Sequence, residues 1–159
     1  MPRFSMDFIP DDCESLYRFS RKNGTKGEKI LAFLKGPYGE DLNQKLGPIN
    51  VGLDRLGHRA LYVTPKQQKI LREECPYIYA EPLREGEHML VWWARVFGMA
   101  PDRFETFFID RQYFDQENRK IYFARTGRGI TVVPTEAQIA CLWRQVAFQR
   151  RTSFWYQYD

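Results

Sequence analysis

A chain of 159 residues, 43% hydrophobic and 28% charged, is long enough to bury a core without disulfides and unlike a disordered or membrane-embedded chain. No apolar run approaches the roughly 20 residues that a bilayer-spanning helix needs. Three scattered cysteines (Cys13, Cys75, Cys141), two histidines (His58, His88) and a net charge of +4 point to reduced thiols, no structural zinc and a mildly basic surface.

The first residues lack the apolar stretch of a secretory leader, so a cytoplasmic protein, or one delivered by a non-classical route, is expected. Pro10-Asp11-Asp12 marks an irregular lead-in. Leu16-Tyr17-Arg18-Phe19-Ser20 reads as the first strand, with Arg18 on one face and Tyr17 and Phe19 on the other. Thr25 and Glu28 form a capping box ahead of a short helix bearing Ile30, Leu31, Phe33 and Leu34, which Gly36-Pro37 stops. Glu40 to Leu46 predicts another short helix, and Ile49, Leu53 and Leu56 supply a third helical face. Leu61-Tyr62-Val63 is a strand running into a helix capped by Thr64, with Pro65 at its first position and Gln67 as the capping-box partner. Pro76 ends that helix at Cys75.

Tyr77-Ile78-Tyr79 reads as a strand. So does His88 to Phe97, where valine and aromatics dominate and periodicity does not separate strand from buried helix. Thr106–Phe114 and Lys120–Arg125, divided by Asp115-Gln116-Glu117-Asn118, predict a hairpin. Gly127-Arg128-Gly129 turns the chain into a strand over Ile130–Val133. Thr135 with Gln138 caps a last helix striped by Ile139, Leu142, Trp143 and Val146, and the aromatic tail from Phe154 to Tyr158 docks back onto the body. The junctions at Val63-Thr64-Pro65 and Val133-Pro134-Thr135 look alike, which is read as shared capping chemistry and not as a repeat. Short helices in the first half and strands in the second predict one α+β domain over 1–159 with an antiparallel-rich sheet.

For chemistry, neither a Gly-x-Ser-x-Gly elbow nor a phosphate-binding glycine loop is present. Asp54 and His58 read as a local salt bridge, and Glu85-Gly86-Glu87-His88 as a loop of solvated charges. Arg18 is more informative. Its guanidinium fork suits a phosphate or a ribose-linked group, the plain alternative being an arginine on a sheet surface. An early strand with an inward Arg18, then a Tyr62-x-Thr64 strand feeding a helix, resembles the front half of the ADP-ribosyltransferase superfamily. Small bacterial effector toxins of that superfamily are similar in length, and their late strand–Pro–helix end is similar to Gly129-Ile130-Thr131-Val132-Val133-Pro134.

The resemblance implies an ADP-ribosyltransferase-like fold with NAD as its substrate, in a cleft formed by Arg18, Tyr62 and Thr64. It also implies a glutamate beside the nicotinamide ribose, where a carboxylate stabilises oxocarbenium-like charge. Glu105 and Glu136 are the catalytic candidates, neither of them in a Glu-x-Glu or Gln-x-Glu pair. Its implied partners are a macromolecular acceptor and an immunity or antitoxin protein.

A different class of function is a non-enzymatic nucleic-acid-binding module. Arg119, Lys120, Arg125, Arg128, Arg144, Arg150 and Arg151 make the C-terminal third basic, and Tyr62, Trp92 or Trp155 offer stacking surfaces. A protein-interaction or immunity-type domain with no small-molecule site is the third reading.

Overall fold

The computed structural model describes residues 6–110 and 114–156, with the helical backbone alone over 148–156. In chain order the elements are β1 (Glu14–Ser15), α1 (Leu16–Lys22), α2 (Gly27–Lys35), α3 (Glu40–Leu46), β2 (Asn50–Leu53), β3 (Arg59–Val63), α4 (Pro65–Glu74) and α5 (Pro76–Tyr79). There follow α6 (Leu90–Phe97), α7 (Pro101–Asp110), a 3₁₀ turn at Gln116–Asn118, β4 (Phe123–Thr126), β5 (Gly129–Val132) and α8 (Glu136–Tyr156). The mixture is α+β with two small antiparallel sheets, one ordered β1-β3-β2 and one a β4-β5 hairpin. These elements gather into two units, Met1–Ala80 and Glu81–Asp159.

In the first unit, α1 replaces the strand expected over Leu16–Ser20. Leu16, Phe19 and Ser20 are buried while Tyr17 and Arg18 are exposed together, a spacing of three and four that only a helix satisfies. Ser15 Oγ caps it by accepting the Arg18 N–H at 3.2 Å. The helix stops at Asn23, and Gly24 at φ 75° turns the chain. The next helix begins at Gly27 with Lys26 at its cap, so the expected Thr25 box does not form. Gly27 is tight by necessity: a Cβ there would lie 3.3 Å from Leu16 Cγ and 3.6 Å from Ser20 Oγ. Small residues at 20 and 27 therefore let α1 and α2 meet closely.

The third helical face expected from Ile49, Leu53 and Leu56 is instead the β2–β3 hairpin, in register Asn50↔Tyr62 to Leu53↔Arg59. The Thr64 junction forms as expected. Thr64 Oγ1 accepts the Gln67 N–H at 3.2 Å and Gln67 Oε1 accepts the Thr64 N–H at 3.0 Å. Gln67 does more than cap. Its buried amide also donates to the Leu46 and Pro48 carbonyls, both at 3.1 Å, tying α4 to the end of α3. Leu16, Phe19, Ile30, Leu34, Leu42, Leu46, Val63, Leu71 and Cys75 make one core with α4 closing it. Tyr77–Tyr79, expected as strand, is the short helix α5, which Pro76 starts.

In the second unit, His88–Phe97 is helical from Leu90, again because its buried residues, Ala94 and Phe97, are three apart while Val91, Trp92 and Val96 are exposed. Thr106 begins no strand: α7 buries Phe104 and Phe108, four apart. The hairpin expected across 115–118 therefore does not form. Phe123–Thr126 pairs instead with Gly129–Val132 across Gly127-Arg128, a two-residue loop that closes with far less chain than the longer turn. Thr135 and Gln138 make the last box, Oγ1 accepting at 3.1 Å and Oε1 at 2.9 Å. The expected docking of the tail falls on side chains outside the described residues.

The two units share more than a cap. Gln138 Nε2 donates to the Asn118 and Lys120 carbonyls, both at 2.8 Å, repeating the fork of Gln67 on two carbonyls two residues apart ahead of a hairpin. Ile9 N–H and Leu53 N–H exchange bonds with the Leu53 and Asp7 carbonyls at 2.9 and 3.0 Å. Leu83 and Arg125 do the same with Arg125 and Glu81 at 3.1 and 2.7 Å. Gly24 and Gly98, at φ 75° and 67°, each end a first helix three residues before the next begins. Buried Ile30 and Leu34 are matched by Phe104 and Phe108, buried Ser20 by Ala94, and buried Leu71 by Leu142. What sequence analysis read as common capping chemistry is a duplicated unit: edge segment, helix–turn–helix, hairpin and a closing helix set by Thr-x-x-Gln.

Candidate nucleic-acid interface

Arg18 stands exposed on α1 and opens onto a depression of about 800 Å³ between the 8–15 segment, Lys22 and the β2–β3 loop. The same depression carries Asp11, Asp12, Glu14 and Asp54. Glu14 binds Lys22 at 2.6 Å, and Asp54 Oδ1 accepts the Leu56 and His58 N–H groups, both at 2.9 Å, which closes the hairpin loop. Asp54 and His58 are thus a loop pair at 3.8 Å and not a helical one. Cys13 lines the depression too, and burial, aided by its bond to Asp12, pushes its thiol above the ordinary value. That disfavours a thiolate nucleophile.

Tyr62 and Thr64 do not line this depression. The Tyr62 ring lies across Gly52, where a Cβ would sit 3.0 Å from it, and Thr64 is occupied as a cap. Glu105 is part-buried on α7, and Glu136 is the exposed first residue of α8, both in the second unit. The side chains of Arg150, Arg151 and Trp155 lie outside the described ones.

The basic surface that the geometry does assemble is on α1 and α2. Arg18, Arg21 and Lys22 on α1, Lys26 in the turn, and Lys29 and Lys35 on α2 are all exposed; Glu28 is the one carboxylate on the two helices, while Glu14 pairs with Lys22 and further carboxylates lie around Arg18. Arg21 is held in place: its Nη1 donates to Tyr17 Oη at 2.7 Å, and its guanidinium lies 5.4 Å from the centre of that ring. Beside it, Leu16, Tyr17, Leu31, Ala60 and Leu61 floor an apolar depression of about 660 Å³ reaching the start of α2. A short helix, a tight glycine turn and a second helix of nine residues follow one another here, a helix–turn–helix order. The tip of the β2–β3 hairpin adds exposed Arg55, His58 and Arg59.

The second unit repeats the order of helix, glycine turn and helix with other side chains. Where α1 and its turn carry Arg18, Lys22 and Lys26, α6 and its turn carry Trp92, Val96 and Ala100. Arg95, Asp102 and Arg103 repeat Arg21, Glu28 and Lys29 at exposed positions. His88 stacks on Trp92 with ring centres 3.6 Å apart, and Trp93 meets Trp92 edge-on at 4.8 Å.

Among the described residues no cluster of His, Cys, Asp and Glu could hold a metal, and no helix is long and apolar enough to cross a membrane. No family model matches the chain, and no curated protein or solved structure does so either. The residues missed by sequence reasoning, Lys26, Lys29 and Lys35, had a legible signal: cations recurring on both sides of Gly24 inside a helical period.

Proposed function

We propose that this chain is a non-enzymatic nucleic-acid-binding protein that takes double-stranded DNA on the α1–turn–α2 face of its first unit. The observation that carries it is the helix–turn–helix whose exposed Arg21, Lys26, Lys29 and Lys35 face Glu28 as the one carboxylate on these two helices, Arg18 and Lys22 lying instead beside the carboxylates of the neighbouring depression. A helix about 10–12 Å across fits a major groove of about 12 Å, and the first residues of the second helix are the ones that reach base edges. The flanking cations then meet phosphates, which fix register and supply salt-dependent affinity.

An ADP-ribosyltransferase-like fold consuming NAD is the reading this is weighed against. It needs Arg18 to anchor a pyrophosphate, yet Asp11, Asp12, Glu14 and Asp54 surround that depression and repel one. Tyr62 and Thr64 point to other tasks.

Fluorescence anisotropy with a random-sequence DNA duplex, across a salt series, tests the proposal. Binding that weakens steeply with salt, beside no heat on calorimetric titration with NAD, is the expected result. Heat with NAD that Arg18→Ala abolishes, with no duplex binding, overturns it in favour of the transferase.

A further inference from the structure

The apolar depression beside α1 and α2 leaves core-type side chains uncovered. Leu31, Ala60 and Leu61 are half-buried at its floor, and Tyr17, 65% exposed, stands as one wall. The fold does not demand that apolar floor. In the second unit Glu105, itself half-buried, takes the place of Leu31 on the second helix, and Val91 and Ala100 take those of Tyr17 and Lys26. Three charged side chains line the depression, Arg21 and Lys26 against Glu28. Among the described residues neither cation is in an ion pair. Arg21 is also held before any ligand arrives: its Nη1 donates to Tyr17 Oη at 2.7 Å, which leaves Nη2 and Nε to donate elsewhere. A held guanidinium suits a carboxylate, because its fork matches two oxygens and little rotamer freedom is lost on binding. Uncovered apolar floor and unpaired cations together call for a ligand with an apolar body and an anionic head.

Resting on the nucleic-acid reading above, we propose that this depression is an effector site for a small apolar carboxylate, and that this ligand and a DNA duplex exclude one another. The body lies on Leu31, Ala60 and Leu61, and the carboxylate meets Arg21. A volume of about 660 Å³ and a mostly apolar lining with a few polar groups are those of small-molecule sites. Each methylene buried on the floor should raise affinity roughly two- to fourfold. The exclusion follows from shared residues: Arg21 and Lys26 also belong to the face that takes the duplex. A carboxylate on Arg21 neutralises a cation that a phosphate would otherwise meet.

Calorimetric titration of the full chain with decanoate, kept below micelle formation, tests this beside hexanoate and decyltrimethylammonium. Decanoate should saturate one site, hexanoate should bind more weakly, and the ammonium of equal chain length should not bind. Arg21→Gln should lower decanoate affinity roughly tenfold. Arg21 is exposed, so an unchanged circular-dichroism melt separates lost contact from lost fold. Leu31→Glu, which copies the second unit, should abolish binding. In anisotropy titrations saturating decanoate should weaken duplex binding by the wild type and not by Arg21→Gln. No decanoate binding, equal binding of the ammonium, or binding that Arg21→Gln leaves untouched overturns the site. A dimer in sedimentation that Leu31→Glu dissociates gives the depression to a second copy and overturns it too. Decanoate bound with duplex affinity unchanged overturns the exclusion. Decanoate binding with no duplex binding at all overturns the function proposed above and leaves the carboxylate site standing.

Discussion

Residues 16–35 and 90–110 fold into the same helix–turn–helix, but the exposed side of the first is basic and that of the second is aromatic and aliphatic. Buried positions match in kind, Ile30 with Phe104, Leu34 with Phe108, Ser20 with Ala94, because the core side of each helix must be apolar or small even where shape and volume differ. Exposed positions carry no such constraint, and Arg18, Lys22 and Lys26 on one side stand against Trp92, Val96 and Ala100 on the other. One order of elements therefore presents two chemistries, and the binding proposed above places its electrostatic share on the first unit.

The largest effect expected from that difference is on duplex affinity. Replacing Lys26, Lys29 and Lys35 together by glutamine removes three phosphate-range cations, each contributing about 0.9 to the salt slope. Affinity should fall roughly a hundred- to a thousandfold in about 0.1 M salt, and the slope by about three. Arg95→Gln with Arg103→Gln, the second unit's counterpart, should cost about tenfold. Equal losses in anisotropy titrations would show that the two surfaces are not divided as described.

Three stability comparisons probe the shared half of the architecture. Leu71 and Leu142 are both fully buried, four residues beyond the capping glutamine, so Leu71→Ala and Leu142→Ala should each cost about 2–5 kcal/mol in urea denaturation. Gln67→Met and Gln138→Met each strand two carbonyls and a cap N–H, and about 1–3 kcal/mol is expected from either. A large cost in one unit and none in the other would mean that the duplicated hydrogen bonds are not equivalent. Thr64→Ala and Thr135→Ala, which remove only the cap, should cost about 1 kcal/mol each.

The smallest effect sharpens a point at which the units differ. Cys75, fully buried at the end of α4, corresponds to Val146 on α8. Burial pushes the Cys75 thiol up to about 11, partly opposed by backbone hydrogen bonds from Tyr77 and Ile78. The folded state therefore holds the thiol proton more tightly than the unfolded chain, whose value is 9.0. Stability from this source is complete below pH 9 and falls as pH rises toward 11. Cys75→Val should flatten that alkaline limb while changing stability at neutral pH by under about 1 kcal/mol. An alkaline limb that survives the substitution would place its origin elsewhere.

Much of the local punctuation was legible without a structure. The Thr64–Gln67 and Thr135–Gln138 boxes, the halts at Gly36-Pro37 and Cys75-Pro76, and the helices over 40–46 and from 136 onward follow from hydrogen bonds and sterics within about four residues. Arg18 lies on a helix where its local sequence reads as strand, and the grouping of the cations beside it depends on α1 and α2 packing against each other. Sequence alone thus determined these particular starts and stops, since caps, prolines and glycines act on their neighbours, whereas the box expected at Thr25 and Glu28 does not form. Only tertiary structure decided what the short apolar runs became: Leu16–Ser20 and Leu90–Phe97 hold side chains that suit either period, and the choice fell to which of them the core could bury. It also decided the second task of Gln67 and Gln138, whose amides reach carbonyls about twenty residues back, a distance at which no local pattern speaks.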